Sequence, residues 1–532
     1  GRDGKVFIWN VASSLIREKY AHKESVYDAI FTKGNQLMVA GADRALRIYD
    51  RNNQELISLL EGHQSTVTSI SLNNQEDLMV SSDVDGTVRI WEKGEHWEGI
   101  IEYIQVGNSD WMVRNSLGQF YATEGAMNNI HFVKGMDTYL LDQFFEEFYQ
   151  PHLLQNVFKA QNKGARSIQG ALDESPPPML KFGAFPQQEN NNVTLYLKAI
   201  DQGGGIQNLK IFHNGKALHN DQIALEVTKE EKNDKVYRFN AGLVAGHNVF
   251  TAKAKSKLNI SSEPATIDVI SDNGVPGSTC HVLTVGINVY KNPRLNLNYA
   301  RNDAEAFAER VHEMGREIYS EVKIHSLFDQ EATRERLLGK LDSLAEVIQL
   351  NDVFILYYAG HGSVVEDQFY FIPSESTRLY EGKALEKQAI NAGDLQQKLT
   401  KIKALKQVII MDACQSGQSV ELLAQRGALE EKAISQLSRS AGIHVLAAAG
   451  SEQFATEFQE LGHGLFTFLL LKALSGESDG APKDGKITIY ELKSYLDDQV
   501  PEISLKYKGK PQYPYSFSRG RDFPIGLGKT DE

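Results

Sequence analysis

A chain of 532 residues is long enough for three or four domains and a sizeable core. Hydrophobic residues make up 41% and charged residues 23%, with 43 Gly and only 14 Pro, which excludes collagen, broad disorder and a coiled-coil rod. The 56 Lys and Arg against 69 Asp and Glu leave a net charge of −13, so no nucleic-acid partner is expected. Two cysteines, Cys280 and Cys414, cannot staple a chain of this size, which points to free thiols and a reducing, cytoplasmic compartment. No apolar run reaches the roughly 18 residues a membrane helix needs; the longest, 465–474, is broken by Thr467 and Lys472. The sequence opens at Gly1 without Met, so a signal peptide ahead of it stays open.

The N-terminal region repeats. Asp3-Gly4-Lys5-Val6-Phe7-Ile8-Trp9, Asp43-Arg44-Ala45-Leu46-Arg47-Ile48-Tyr49 and Asp85-Gly86-Thr87-Val88-Arg89-Ile90-Trp91 are versions of one strand, and His22 and Gly62-His63 recur between them. This resembles the WD40 family, in which a turn Asp, a His, a Ser or Thr and the strand Trp can share one buried hydrogen-bond network. About two blades and a closing strand are legible over 1–98, whereas propellers close with about four to eight, so further blades are expected ahead of residue 1. The expected role is to hold a protein partner.

Residues 99–177 read as a connecting module with short strands at 111–114 and 120–121 and an aromatic helix at 140–149 that ends at Pro151. Ser175-Pro176-Pro177-Pro178 stiffens the chain and marks a boundary. Over 178–272 apolar and polar residues alternate, as at Val193, Leu195 and Leu197, with turn signals at Gly203-Gly204-Gly205 and Asn214-Gly215. An immunoglobulin-like β-sandwich is expected there, serving as spacer or docking element.

From 279 to 528 continuous apolar runs alternate with helical stretches, the pattern of an α/β domain with a mostly parallel central sheet. Strands are predicted at 281–286, 322–328, 353–358, 407–411 and 442–448, and helices at 303–314, 333–348, 394–402, 465–474 and 489–499. Reactive groups gather at the carboxyl edge of such a sheet. Two strands end suggestively, one running into Ala359-Gly360-His361-Gly362-Ser363 and the next into Asp412-Ala413-Cys414-Gln415-Ser416-Gly417. Either residue alone would read as a hydrogen-bonded loop histidine or an inert thiol. Together, on successive strands, they read as a Cys/His pair. Cys280, at the edge of the first strand, stays a buried thiol.

Residues 279–528 resemble the caspase-like cysteine peptidases, on the metacaspase and bacterial orthocaspase side. The resemblance rests on Thr284-Val285-Gly286-Ile287, Leu297-Asn298-Tyr299-Ala300-Arg301-Asn302-Asp303-Ala304, the His361 and Cys414 turns and Gly462-His463-Gly464-Leu465-Phe466-Thr467. WD40 repeats joined to such a peptidase recur among the bacterial proteins it resembles. The resemblance implies a cysteine endopeptidase: the Cys414 thiolate attacks the scissile carbonyl, His361 protonates the departing amine, and the amides of Gly362 and Cys414 form the oxyanion hole. That chemistry needs neither metal nor cofactor.

Alternation along a strand puts Asp412 on the same face as Cys414. Asp303 falls on the acid of the metacaspase Cys-x-x-Asp segment, with Ala300 in place of its Cys. Two carboxylates in one pocket would favour Arg or Lys before the scissile bond, so protein or peptide substrates with those residues are expected. Asp303 also reads as a helix N-terminal acid. Ala359 stands where metacaspases often carry Ser, and the stretch Val364-Val365-Glu366-Asp367-Gln368 lacks their calcium-binding acids, so calcium activation is not supported. Asp484 and Glu491 have EF-hand-like spacing, but Gly480 and Pro482 occupy the early ligand positions, which leaves a turn before a helix. His463 reads as a structural turn residue. Arg426 and Arg439 lie in a polar, exposed stretch and are candidate self-processing sites, against an uncut surface helix. The rival readings of the whole are a catalytically silent caspase-like scaffold and an Asp-specific peptidase.

Overall fold

The computed structural model describes the chain except residues 13–14, 22–23, 158–165, 231–232, 273, 275–276, 366–367, 415–419, 449–456, 459–461 and 529–532. It describes only the backbone at 10, 15–21, 156–157, 413–414, 420–428, 457–458 and 508. The chain forms two compact units, Gly1–Pro176 with Leu258–Ile260, and Pro177–Lys257 with Ser261–Glu532.

In the first unit a hairpin, Lys5–Asn10 with Leu15–Ala21, precedes a four-stranded antiparallel sheet running from Val26–Phe31 to Leu56–Leu60. A second sheet starts at Val67–Leu72 and continues without interruption to Phe120–Ala122. The expected boundary at residue 98 therefore falls inside a sheet. Trp97–Val106 pairs with both Val88–Lys93 and Asp110–Asn115, so the strands read as a connector extend the last blade. The aromatic helix expected at 140–149 is a 3-10 turn, Leu141–Phe144, followed by one α turn, Phe145–Phe148. The buried polar network of the repeat is present. His63 bonds Asp83 Oδ2 through Nδ1 at 2.9 Å and Ser81 Oγ through Nε2 at 2.7 Å, and Trp91 Nε1 donates to the same Ser81 Oγ at 2.9 Å. His22 lies outside the described residues.

The second unit begins with two antiparallel sheets packed on one core. One is built on Asn192–Ile200 and Asp234–Gly242, the other on Gln207–His213 and Gly246–Lys255. Alternate residues Leu195, Leu197, Phe239, Phe250 and Ala252 fill the space between them, as period-two patterning requires. His213 stacks on Phe250 with ring centroids 4.4 Å apart and bonds Asn248 Oδ1 through Nε2 at 2.9 Å. Burial pulls its pKa from 6.5 down to about 4. A depressed histidine costs nothing above pH 6.5; as pH falls from 6.5 towards 4 the unfolded chain takes up a proton that the folded one refuses, and stability is lost. We expect His213→Gln to flatten the pH dependence of the melting temperature between pH 6.5 and 4, where the histidine accounts for up to about 3 kcal/mol. An unchanged slope would remove His213 from the account.

The α/β part carries a six-stranded main sheet. Its elements are β1 (Thr279–Gly286), α1 (Ala300–Gly315), β2 (Glu321–Phe328), α2 (Arg334–Val347), β3 (Val353–Val365), β4 (Gln368–Phe371), α3 (Ala392–Lys401), β5 (Lys406–Cys414), α4 (Val420–Ala441), β6 (His444–Ala447), α5 (Leu465–Lys472), α6 (Ile489–Lys508) and β7 (Tyr515–Phe517). The order is β2-β1-β3-β5-β6-β7, parallel except for β7, and β4 pairs back on the end of β3. One face buries Leu341 and Leu344 of α2, Leu395 of α3 and Leu437 of α4. The other buries Phe307 and Val311 of α1, Leu469 of α5 and Leu492 of α6. Strands covered on both faces explain the continuous apolar runs.

Two expectations are corrected here. β3 does not stop at residue 358; it runs 13 residues to Val365, because Gly362–Val365 pairs antiparallel with Gln368–Phe371. From Val420 the polar stretch between Cys414 and Gly442 is the 22-residue helix α4, whose face with Ile434 and Leu437 is buried. The sandwich also meets this part of the unit closely. Gly442, at φ +66°, follows α4, and a Cβ there would collide with the Gly215 carbonyl oxygen. The fully buried Lys216 donates through Nζ to the Thr400 carbonyl, in the last turn of α3, at 2.9 Å and to its neighbour Ala217 O at 2.7 Å. Burial pulls its pKa down to about 7. An amine at a helix C-terminus satisfies carbonyls that the helix itself cannot.

Candidate active site

The strand order reverses direction between β1 and β3, and the candidate residues gather beyond the carboxyl ends of the strands on that side. His361 on β3 and Cys414 at the end of β5 are register partners on adjacent parallel strands, as are Ala359 and Asp412. The two backbones of the predicted pair are thus brought side by side. The Cys414 side chain lies outside the described atoms.

The placement of His361 is determined by groups that the sequence motif did not reveal. Its amide donates to Tyr290 Oη at 2.9 Å, and the two rings lie 5.0 Å apart. Nε2 lies 2.8 Å from the Leu295 carbonyl oxygen. A carbonyl only accepts, so Nε2 carries a proton, and in the neutral imidazole the lone pair is on Nδ1. Leu295 is presented by a short 3-10 turn, Pro293–Leu295, whose Asn292 side chain caps the Arg294 amide. Gly360 cannot be replaced cheaply, since a Cβ there would sit 2.8 Å from Tyr290 Oη. The Ile372 amide donates to His361 O, which makes 361 and 372 a bonded pair across β3 and β4. Gly362 is then in the non-bonded position, with its amide turned away from β4.

Asp303 lies in the first turn of α1 and Asp412 two residues before Cys414; both are buried. Asp303 Oδ1 is 2.7 Å from His463 Nδ1, and Oδ2 accepts the Gly464 amide at 3.2 Å. Asp412 Oδ2 accepts the Thr467 hydroxyl at 2.6 Å, and that hydroxyl is 2.6 Å from Tyr357 Oη. A Cβ on Gly464 would lie 3.0 Å from Asp412 Oδ2 and 3.3 Å from Asp303 Oδ2. The two acids predicted to share a pocket therefore converge on one glycine at the N-terminus of α5. Burial pushes the Asp412 carboxyl up, against the lowering effect of the Thr467 hydroxyl and amide. Burial also lowers the pKa of His463. His463 was expected to be a turn residue; it lies in a two-residue strand, His463–Gly464, and reaches across to Asp303.

Cys280 is fully buried, and burial pushes its thiol up to about 12, consistent with an inert thiol. Arg426 and Arg439 fall on α4, Arg439 in its last turn and the Arg426 side chain outside the described atoms. A protease needs an extended segment, so cutting there first requires the helix to open. Among the described residues no three His, Cys, Asp or Glu side chains converge as a cation site. Glu366 and Asp367 lie outside them. Asp479 accepts the amides of Asp484 and Gly485, and Glu491 those of Gly480 and Thr488, so the EF-hand-like spacing builds a turn and a helix cap.

The family model described as the caspase domain matches residues 279–522, and that of the WD domain, G-beta repeat, matches 13–50 and 54–92. The chain joins WD40 repeats to a caspase domain. The match over residues 279–522 supports a cysteine peptidase family for that domain. Among curated proteins, human pre-mRNA-processing factor 19 is 33% identical over 57 residues, covering 11% of this chain and 11% of that protein. The target of rapamycin complex subunit LST8 of Saccharomyces cerevisiae is 26% identical over 95 residues, 17% of this chain and 31% of that protein. The chain therefore spans about a tenth of the first of these relatives and a third of the second. A crystal structure of a Geobacter sulfurreducens protein aligns at TM-score 0.33 and 18% identity, covering 48% of this chain and 98% of that one. No helix among the described residues is long and apolar enough to cross a membrane.

Proposed function

We propose that the caspase domain is a cysteine endopeptidase that cleaves after Arg or Lys, with Cys414 as nucleophile and His361 as its general acid and base. The observation that carries this reading is the register pairing of His361 with Cys414, on two strands fixed side by side by a parallel ladder. The Leu295 carbonyl supports it by holding the tautomer with Nδ1 unprotonated, ready to take the thiol proton and return it to the leaving amine. The Gly362 amide, turned away from β4, and that of Cys414 are the proposed oxyanion donors. Asp303 and Asp412 are the proposed partners of the substrate cation, and the WD40 repeats the proposed seat of a protein partner. Nothing in this chemistry calls for a cofactor.

A second reading is favoured by one observation: both acids already bond the N-terminus of α5, so they can serve as anchors of that helix and leave specificity to other residues. A peptide library randomised at the residue before the scissile bond separates the readings. Cleavage confined to Arg and Lys supports the first. Cleavage after Asp, or with no charge preference, rejects it.

A further inference from the structure

The Asp303–His463 contact joins two residues 160 positions apart in sequence, and the motif that contains His463 has so far been given no role. Asp303 in its ionised form has no proton to give, so His463 Nδ1 must be the donor in this 2.7 Å bond. Burial favours the neutral imidazole, whose Nε2 then presents a lone pair. Among the described residues that nitrogen has no partner. The side chain of His463 is 25% exposed, against 4% for Asp303, so the imidazole is the more accessible member of the pair. Asp303 and, across Gly464, Asp412 thus bring acceptor oxygens to the N-terminus of α5, beside the partly exposed imidazole. Such an arrangement suits a planar guanidinium with five N–H groups better than a compact ammonium with three.

We propose that His463 is a specificity residue, its Nε2 accepting a hydrogen bond from the guanidinium of the residue before the scissile bond, so that Arg is preferred to Lys. This rests on the peptidase reading above and deepens it. A substitution that keeps the Asp303 bond but removes the acceptor isolates the effect. His463→Asn places an amide donor where Nδ1 stands and leaves nothing at Nε2, whereas His463→Ala removes both.

The experiment compares kcat/KM for matched Arg-ended and Lys-ended peptides in wild type, His463→Asn and His463→Ala. The Arg to Lys ratio is expected to fall about tenfold in both variants, through KM for the Arg-ended peptide. The Lys peptide also reports whether each variant is folded. If His463→Asn keeps the wild-type ratio, His463 only positions Asp303 and the proposal is overturned while the peptidase reading stands. If wild type shows no Cys414-dependent turnover of either peptide, the peptidase reading falls and this proposal falls with it.

Discussion

Cys414→Ala is expected to lower kcat/KM for Arg-ended peptides by at least about 10⁴-fold, and His361→Ala by about 10³-fold or more. Because the two side chains act as one unit, the double variant is expected to be no worse than Cys414→Ala alone. Additive losses would mean that the pair does not share a proton. The geometry behind this expectation is local and rigid. His361 is tied by its amide to Tyr290, by Nε2 to Leu295 and by its carbonyl to the Tyr358 hydroxyl at 2.9 Å, so it cannot drift from its register partner. A Tyr290→Phe variant removes only the first of these bonds and should reduce kcat more than KM, since it loosens the imidazole without touching the substrate.

The second large effect is expected at Asp412. Asp412→Asn keeps an acceptor for the Thr467 hydroxyl but removes the charge, so kcat/KM for Arg-ended peptides should fall about 10- to 100-fold through KM, with the melting temperature little changed. If Asp412 is only an anchor of α5, the melting temperature moves and the preference for basic residues stays. The pH dependence follows the same logic. Burial raises the Asp412 pKa above 3.8, so its charge, and with it affinity for a cation, is lost as pH falls through that raised value. KM for Arg-ended peptides should therefore climb on acidification at a pH above the ordinary carboxylate range, and Asp412→Asn should abolish the climb.

The sequence made the skeleton of the caspase domain legible because its strands are covered on both faces. The run 353–358 can only be central, and Thr333 caps α2 as its residue type suggests, accepting the Arg336 amide at 3.3 Å. Long-range pairing was not legible. The continuation of β3 past His361 depends on β4, a partner that local turn chemistry around Gly360 and Gly362 does not announce. The stretch after Cys414 looks polar because α4 keeps Glu430, Glu431 and Ser435 among its buried residues, which dilutes the apolar stripe of Ile434 and Leu437. In the site, the proposed nucleophile and base were visible as residue types; strand alternation put Asp412 beside Cys414, and the resemblance to the metacaspase Cys-x-x-Asp segment suggested Asp303. The Leu295 carbonyl was not visible, because a backbone acceptor leaves no signature in side-chain identity. His463 was visible as a motif but not as a partner, since its contact with Asp303 spans most of the domain.

The most direct test is mass spectrometry of the intact protein and its peptides after exposure to an irreversible, Arg-ended peptidyl ketone. A single adduct on Cys414, absent in His361→Ala at the same exposure and not formed by an Asp-ended analogue, is the predicted result. Labelling of Cys280 instead, or faster labelling by the Asp-ended reagent, would contradict it.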